Sequence, residues 1–437
     1  MLNQTMAECP GIYKLSEMKD GLLARIRVPG GILSSKQARV LSKAAETFGN
    51  GTIDLTNRAN IQLRGIKPDA TNELVQKLLN EKLISQSVEH DRLRNITMDP
   101  LAGLCDELID CTEMVKSLDE AFSKLDHPEL YSPKMAFVFD GGGETNIGTT
   151  PHDFAFLAVK NEATNHEAKF QVSLAGHLTT LYLNPSNIID EIIKILDHLK
   201  PYNGFSNNCD IAEDKSKNIR VKNLLSQLGG KQLLEIIAPN KAIELLEQNK
   251  NKQLLHPKNL TKQKEQNKTA INLVSPTGRL KYFQLEGLAE LVDRYGSDEL
   301  RLTTWQGILL PSIEEDHIAD IWEKAEAMAL LTQQSEQNLQ IISCSGSEGC
   351  IYGGFETKLT ALNLRDELSE FAIPNPVSIH LSACEKGCAT RNPTQYLIMQ
   401  KRNSDNISLY TNTSPSTKKP GKAVTKDQLI SEIKKMI

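Results

Sequence analysis

Apolar and polar positions first fall into register as a short extended run at 25–28, closed by the turn Pro29-Gly30-Gly31. The period then changes. Ser34-Ser35-Lys36-Gln37 has the form of a capping box. Ala38, Leu41, Ala45 and Phe48 recur on one helical face, and Gly49-Asn50-Gly51 ends the helix. Residues 52–65 read as a strand followed by an approach loop. Further strands are expected at 135–139, 155–159, 170–174, 393–399 and 407–410. Helices are expected at 108–125, 186–199, 218–228, 231–247 and 426–436.

The opening pattern returns 247 residues later without a gap. Gly31 matches Gly278, Leu33 matches Leu280, Gln37 matches Gln284 and Leu41 matches Leu288. Phe48 and Gly49 match Tyr295 and Gly296, and Leu55-Thr56 matches Leu302-Thr303. A constant register over so long a stretch points to two homologous halves rather than a solenoid. The second copy has lost its polar tip: Arg58 faces Trp305, Gln62 faces Leu309 and Arg64 faces Pro311. The first copy is therefore expected to carry chemistry and the second to support it.

At 437 residues, with 39% apolar and 24% charged residues, the chain is long enough for several domains of an ordinary soluble protein. A net charge of −5 gives no global reason to expect nucleic-acid binding. No run approaches a membrane span or a signal peptide, so a cytoplasmic location without membrane contact is expected.

The chemistry concentrates near the C-terminus. Cys344-Ser-Gly-Ser-Glu-Gly-Cys350 and Cys384-Glu-Lys-Gly-Cys388 are C-x5-C and C-x3-C. Four thiolates in two close pairs suit a [4Fe-4S] cluster. Gly346, Gly349, Gly353, Gly354 and Gly387 let backbone N–H groups approach the sulfides. Structural zinc, which prefers shorter knuckles, stays open as an alternative, as do two disulfides or four unrelated thiols. Cys9 is a candidate reactive thiol; Cys105, Cys111 and Cys209 read as structural.

Basic residues cluster in the first half at strand ends and loops: Arg25, Arg27, Arg58, Arg64, Arg94 and Lys134. Each alone reads as a solvated surface charge. Together with the cysteine spacing they resemble the sirohaem-dependent nitrite and sulfite reductase superfamily. There the two cysteine loops hold a [4Fe-4S] cluster whose last cysteine bridges to the sirohaem iron. Arg25-Ile-Arg27-Val-Pro-Gly-Gly31 is similar to that family's first arginine motif. Thr56-Asn57-Arg58-Ala-Asn60-Ile-Gln62 is similar to its macrocycle-binding loop, Arg94-Asn95 to a second anion-binding arginine, and Pro133-Lys134 to the first of two paired lysines. Two positions depart: Ala136 stands where the second lysine would be, and Asp54 where an arginine would be.

The resemblance implies an α+β fold with a pseudo-two-fold duplicated nitrite/sulfite reductase-like architecture, each half a ferredoxin-like unit plus a larger α+β cofactor or cluster domain. The expected divisions are a ferredoxin-like half-domain at 9–85 and a larger domain at 86–200. A helical segment and polar linker at 201–268 follow, then the second ferredoxin-like half-domain at 269–335 and the cysteine-bearing domain at 336–437.

Within the superfamily, Cys9-Pro-Gly11, Asp20-Gly-Leu-Leu23, Phe139-Asp140-Gly-Gly-Gly143 and Cys384-Glu-Lys-Gly-Cys388-Ala389 resemble the precorrin-3B synthases of aerobic cobalamin biosynthesis. That implies a monooxygenase converting precorrin-3A to precorrin-3B by C-20 hydroxylation and γ-lactone formation, using O2 and a reductant. Arg25, Arg94 and Lys134 would be catalytic. Arg58, Asn57, Asn60 and Gln62 would hold the macrocycle, whose roughly eight carboxylates call for arginine forks. The Asp140–Gly143 loop would admit the macrocycle edge. Cys344, Cys350, Cys384 and Cys388 would bind the cluster.

Oxygen activation calls for a further mononuclear iron, for which His90, His152, His166 and His380 are the candidate ligands. The donor is expected to be NADH-linked or ferredoxin-type, although no G-x-G-x-x-G fingerprint supports direct NADH binding. A sirohaem-dependent nitrite or sulfite reductase, and a non-enzymatic tetrapyrrole-binding iron–sulfur protein, remain alternatives.

Overall fold

The computed structural model describes residues 11–160, 167–204, 218–246, 259–331, 339–369, 371, 373, 376–400 and 406–437. Cys9, Cys209, His166 and most of the polar stretch at 248–268 lie outside them.

The chain opens with β1 (Ser16–Met18), β2 (Gly21–Ile26), β3 (Ile32–Ser34), α1 (Ser35–Phe48), β4 (Thr52–Leu55), β5 (Ile61–Ile66) and α2 (Thr71–Asn80). The Ser34 capping box forms: Gln37 N donates to Ser34 Oγ, and Ser34 N donates back to Gln37 Oε1, both at 3.1 Å. A larger unit follows: α3 (Val88–Leu93), β6 (Ile96–Met98), α4 (Thr112–Ser123), β7 (Phe137–Asp140), β8 (Phe154–Lys160), β9 (Ala168–Leu174), β10 (His177–Leu183), α5 (Ile188–Leu199) and α6 (Val221–Ile237). The second half-domain has β11 (Leu260–Lys262), β12 (Lys268–Val274), β13 (Arg279–Lys281), α7 (Tyr282–Tyr295), β14 (Glu299–Leu302), β15 (Gly307–Glu314) and α8 (Ile318–Ala327). The last unit is β16 (Leu339–Ser343), α9 (Gly346–Gly349), α10 (Thr357–Ser369), β17 (Val377–Ser382), β18 (Thr394–Gln400), β19 (Ile407–Thr413), β20 (Lys422–Val424) and α11 (Lys426–Lys434).

The 247-residue register holds from β3 and β13 through α2 and α8. The halves also exchange strands. The first sheet runs β1-β2-β5-β4-β13 and the second β11-β12-β15-β14-β3. Each half lends the short strand before its helix to the other half's sheet: Arg279 pairs with Asp54, and Leu33 with Leu300. Helices α1 and α7 bury their apolar faces in one shared core, with Leu41 and Leu288 both within 1% of full burial. That exchange welds the halves together, because neither five-stranded sheet is complete without the other.

The two larger units are duplicated as well. One sheet is ordered β10-β9-β8-β7-β6, the other β16-β17-β18-β19-β20. In both, the first three strands in chain order are parallel and the remaining pairs antiparallel. A helix joins the first two parallel strands, α4 in one and α10 in the other.

Some local expectations shift. The helix expected from 108 begins at Thr112, because residues 99–111 form a loop packed on Gly141–Gly143. The run at 52–65 is two strands joined by a turn. The helices expected at 218–228 and 231–247 are one element, α6, kinked at the expected break by Gly229 (φ 77°) and ending at Ile237. The presumed linker to 268 already enters the sheet at Leu260. No helix among the described residues is long and apolar enough to cross a membrane.

A cleft between the cysteine loops and the arginine loop

The turn at Thr56–Asn60 is built by its own side chain. Thr56 Oγ1 accepts from Asn60 N (3.0 Å) and Arg58 N (3.3 Å), and Ala59 takes φ 53°. The matching turn in the second half repeats this: Gly307 N donates to Thr303 Oγ1 (2.8 Å), and Gln306 takes φ 63°. The backbone is copied and the side chains diverge. Trp305 packs against Val138, Ile147 and Ala155, and Leu309 against Leu101 and Cys105. The corresponding Arg58 and Gln62 instead line a cavity of about 2160 Å³.

That cavity brings the predicted chemistry together. Its walls include Arg25, Asn57, Arg58, Asn60, Gln62 and Lys134 on one side, and Cys344, Cys350, Cys384 and Cys388 on the other. Among the lining residues the acids are Glu17, Asp54 and Glu385. The basic residues are more numerous, and five of them were not anticipated from sequence: Arg220, Lys222, Lys358, Lys386 and Arg391.

Several predicted residues are already committed within the protein. Arg94 is absent from the cavity wall. Its guanidinium forks onto Asp119 (3.0, 3.2 and 3.1 Å) and donates to Leu83 O (3.2 Å), so its anion-binding role gives way to a structural one. Asn60 reaches the wall but is buried, accepting from Val28 N (2.9 Å) and donating to Asn95 Oδ1 (2.9 Å). Arg27 is likewise buried, beside Asp91 (3.5 Å) and Pro133 O (3.2 Å). Gln62, in the amide orientation that satisfies both its poles, accepts from Arg25 Nε (3.1 Å) and Nη2 (2.8 Å), which aims the Arg25 fork. Asn57 Nδ2 donates to Ala389 O (3.0 Å), tying the arginine loop to the last cysteine loop.

Asp140–Gly143 is not on the cavity wall. Asp140 caps its own turn through Gly142, Ile147 and Gly148 N–H groups. A Cβ on Gly141 would lie 2.4 Å from Ile109 O. The expectation that this loop admits the macrocycle fails, because the 99–111 loop fills the space in front of it.

A buried polar hub anchors the first cysteine loop. Arg64, 1% exposed, donates to both oxygens of Asp20 (2.8 Å each), to Asp54 Oδ2 (3.0 Å), to Ser345 Oγ (3.2 Å) and to Gly349 O (2.8 Å). Asp54, standing where an arginine was expected, also receives the Arg279 fork (2.6 and 3.0 Å). Burial works to raise its pKa, but Arg279, Lys358 and Arg64 outweigh that and hold it well below the usual carboxylate range. Lys358, buried behind the loop, donates to Thr277 O and Ser343 O, and burial lowers its pKa to about 8.

The four cysteines form one group. Burial first, then the charges of Cys384, Cys344 and Cys350, push the Cys388 thiol up to about 12. Its solvent-accessible face looks into the cavity it lines. Ala383 N donates to Cys344 Sγ at 3.3 Å. Lys386 lies over the Tyr352 ring at 3.9 Å, joining the two loops. None of the described cysteines is disulfide-bonded, which sets the disulfide alternative aside. Among the described residues no three His, Cys, Asp or Glu converge as a single ion requires. A cubane carries its irons at the corners of a box, so its thiolates stand further apart. The donor set, the glycine backbones and the shared cavity fit such a cluster.

Among the described residues the candidate ligands for a further iron do not converge. His90 is held by Ser85 (2.8 Å) and Asp119 (3.0 Å). His152 is on the cavity wall, but its ring nitrogens meet Thr150 O (2.7 Å), Ser173 Oγ (2.9 Å) and Gly176 N (3.2 Å). Burial lowers its pKa. His380 is fully buried in β17 with neither ring nitrogen hydrogen-bonded, and burial lowers its pKa to about 3.

Comparison with known proteins agrees with this construction. Residues 16–81 and 261–328 match the nitrite/sulfite reductase ferredoxin-like half domain, and 89–243 match the nitrite and sulphite reductase 4Fe-4S domain. The latter covers the duplicated unit that lacks the cysteine quartet. A ferredoxin–nitrite reductase of Synechococcus elongatus is 28% identical, over 86% of this chain and 76% of that protein. The chloroplastic enzyme of Spinacia oleracea is 24% identical, with 84% of this chain matched against 64% of its own length. A precorrin-3B synthase of Sinorhizobium is 24% identical over 90% and 80%. In fold, the NirA protein of Mycobacterium tuberculosis superposes with a TM-score of 0.71 at 19% identity, covering 94% of this chain and 79% of that one. Domain matches, duplicated sheets and fold together give this chain the domains and the duplicated architecture of the nitrite/sulfite reductase superfamily.

Proposed function

We propose that this oxidoreductase acts on a polycarboxylate tetrapyrrole as a precorrin-3B synthase, hydroxylating precorrin-3A at C-20 with closure of a γ-lactone. One oxygen atom of O2 enters the substrate and the other leaves as water, with two electrons and two protons supplied from a reductant. The observation that carries the reading is the distribution of charge in the cleft. Cations are spread along its walls, as a ring with many carboxylates requires. The two positions where reductases of the family are expected to concentrate charge on a small anion hold Ala136, which is buried, and Asp54, whose carboxylate is consumed by arginines.

Cys344, Cys350, Cys384 and Cys388 would hold a [4Fe-4S] cluster, which supplies one-electron transfer when bound. Arg25, aimed by Gln62, and Arg58 and Lys134 bind substrate carboxylates. Asn57 keeps the arginine loop against the last cysteine loop, so ring and cluster sit in one cleft. Any oxygen-activating iron draws its ligands from outside the histidines described above. The donor is a ferredoxin-type or NADH-linked protein.

The second reading, a sirohaem-dependent nitrite reductase, is favoured by the higher identity to the Synechococcus elongatus enzyme. Anaerobic purification and assay decide between them. Conversion of precorrin-3A to a product heavier by one oxygen atom, dependent on O2 and reductant, supports the synthase. Firmly bound sirohaem with reductant-dependent loss of nitrite refutes it.

A further inference from the structure

Lys358 is a buried cation with no carboxylate of its own. It follows Thr357 at the start of α10, the helix behind the first cysteine loop. It borders the cavity but is only 6% exposed, and its ammonium donates to two main-chain carbonyls, Thr277 O and Ser343 O, the latter at 3.0 Å. The other cations of the hub are matched. Arg64 reaches both oxygens of Asp20 and one of Asp54, and Arg279 forks onto Asp54 and lies 3.5 Å from Glu348. Among the described residues Lys358 forms no such pair. Burial lowers its pKa to about 8, with Asp54 and Cys344 pulling the other way, so it keeps its proton at neutral pH.

Two neutral carbonyls are a poor exchange for the water an ammonium gives up on burial. The anionic neighbour on offer is the cysteine loop. Ser343, the acceptor, precedes Cys344 in the chain. Thr357 donates to Cys344 O (2.7 Å), and its hydroxyl lies 3.6 Å from Cys344 Sγ. Ala383 N donates to the same sulfur. Cys344 is thus held by α10 and by the second cysteine loop, with the Lys358 charge fixed behind it. The other large unit lacks both features together. Its matching helix, α4, opens on Thr112-Glu113, and the Glu113 side chain is 81% exposed. The buried cation occurs in the copy that carries the cysteines.

We infer that Lys358 sets the reduction potential of the cluster, its fixed positive charge favouring the reduced state. Uptake of one electron from a one-electron donor adds one negative charge to the cluster and its thiolates, with no bond made or broken. A buried cation attracts the more negative state more strongly and so makes reduction easier. Arg64 and Arg279 contribute less, because carboxylates already offset them. The inference rests on the iron–sulfur part of the reading above and is independent of which substrate the cleft takes.

The test loads the full chain with iron and sulfide anaerobically and titrates it with dithionite and mediators, reading the reduced cluster by electron paramagnetic resonance. In Lys358→Met the ratio of reduced to oxidised cluster at a fixed potential should fall about tenfold, equivalent to about 59 mV more negative for a one-electron couple. Lys358→Gln, which keeps a donor for Ser343 O without the charge, should shift in the same direction, and Lys358→Arg should recover most of the loss. Melts of the apoprotein supply a second readout: Lys358→Gln should be at least as stable as wild type, because the interior sheds an unmatched charge. Loaded Met and Gln variants that keep the wild-type potential overturn the inference alone. Failure of both neutral variants to fold or to take up iron also overturns it, since Lys358 would then be a structural support of the loop. Wild-type protein that takes up neither iron nor sulfide overturns the cluster assignment and this inference with it.

Discussion

Arg64 and Gly349 make a pair whose coupling can be calculated before it is measured. A Cβ placed on Gly349 would lie 2.1 Å from Arg64 Nη2 and 2.8 Å from its Cζ. An arginine tip usually moves aside. This one is held by Asp20, Asp54, Ser345 and the Gly349 carbonyl itself, so it has nowhere to go. Gly349→Ala should therefore cost about 1–3 kcal/mol, the range for overpacking a filled interior. Gly349 has no left-handed φ, so the cost is steric alone. Arg64→Ala removes one partner of a buried charge group and should cost about 3–5 kcal/mol, moderated because Asp54 keeps Arg279. In the double variant the methyl group occupies the space the guanidinium left. The Gly349→Ala penalty should then vanish, a coupling of about 1–3 kcal/mol. Melting of the apoprotein ranks the four proteins. Iron and acid-labile sulfide per chain after anaerobic reconstitution read the loop directly, since Cys344 and Cys350 flank both contacts. Both single variants should lose occupancy, and the double should be no worse than Arg64→Ala. Simple addition of the two penalties would refute the claim that Arg64 clamps this loop by contact.

Arg94→Ala should destabilise the fold by about 3–5 kcal/mol, read as a lower melting temperature, because Asp119 and Leu83 O lose their donor, yet leave affinity for a many-carboxylate porphyrin per folded molecule unchanged. Lys134→Ala should do the reverse, and a binding titration alongside a melt separates the two. Glu107 is half-buried with its pKa raised to about 7, by burial first and then by Asp110 and Asp99. A raised folded-state pKa stabilises below the unfolded value and loses that contribution as pH climbs through the folded one. Stability should fall between about pH 4.5 and pH 7 from this group, and Glu107→Gln, which can still accept from Gly103 N, should flatten that slope in melts taken across the range. Cys384→Ser should abolish the broad iron–sulfur absorbance after reconstitution while the protein remains folded; full absorbance and turnover in that variant would contradict the assignment of the redox centre.

The duplication was legible in the ferredoxin-like halves because nothing has been inserted between β3 and α2. Strand, capped helix and turn repeat at one offset, and a single shift of the sequence exposes them. The larger units repeat just as completely, but their loops differ in length. Matching strands drift apart in spacing, from 247 residues to 239 between Ala168 and Ile407, and no single register reveals them. The strand exchange was hidden for another reason. β3 and β13 are three residues long, and nothing local to them says which sheet receives them. Among the cations, motif similarity could not separate Arg25 from Arg94. The difference lies in Asp119, which sits on a helix 25 residues further on and claims Arg94. Arg220 and Lys222 escaped because they belong to a helix entry without a motif.

One cleft, rather than two, follows from how the copies diverged. Backbone turns at Thr56 and Thr303 are held by the same threonine bonds, so the scaffold offers equivalent positions on both sides. On the second side Trp305 and Leu309 fill the space and bury apolar surface against the first large sheet, which favours folding without any ligand. On the first side the equivalent positions are Arg58 and Gln62, beside Arg25 and Lys134, and they leave a cavity whose cations crowd one another. That arrangement costs stability in the absence of an anion and returns it when one binds, since any ligand that prefers the folded state stabilises it. The asymmetry therefore assigns folding to one copy and binding to the other. Under the proposed function it also accounts for a cysteine quartet in only one of the two larger units: an electron-transfer centre would be useful only beside the copy that binds the ring.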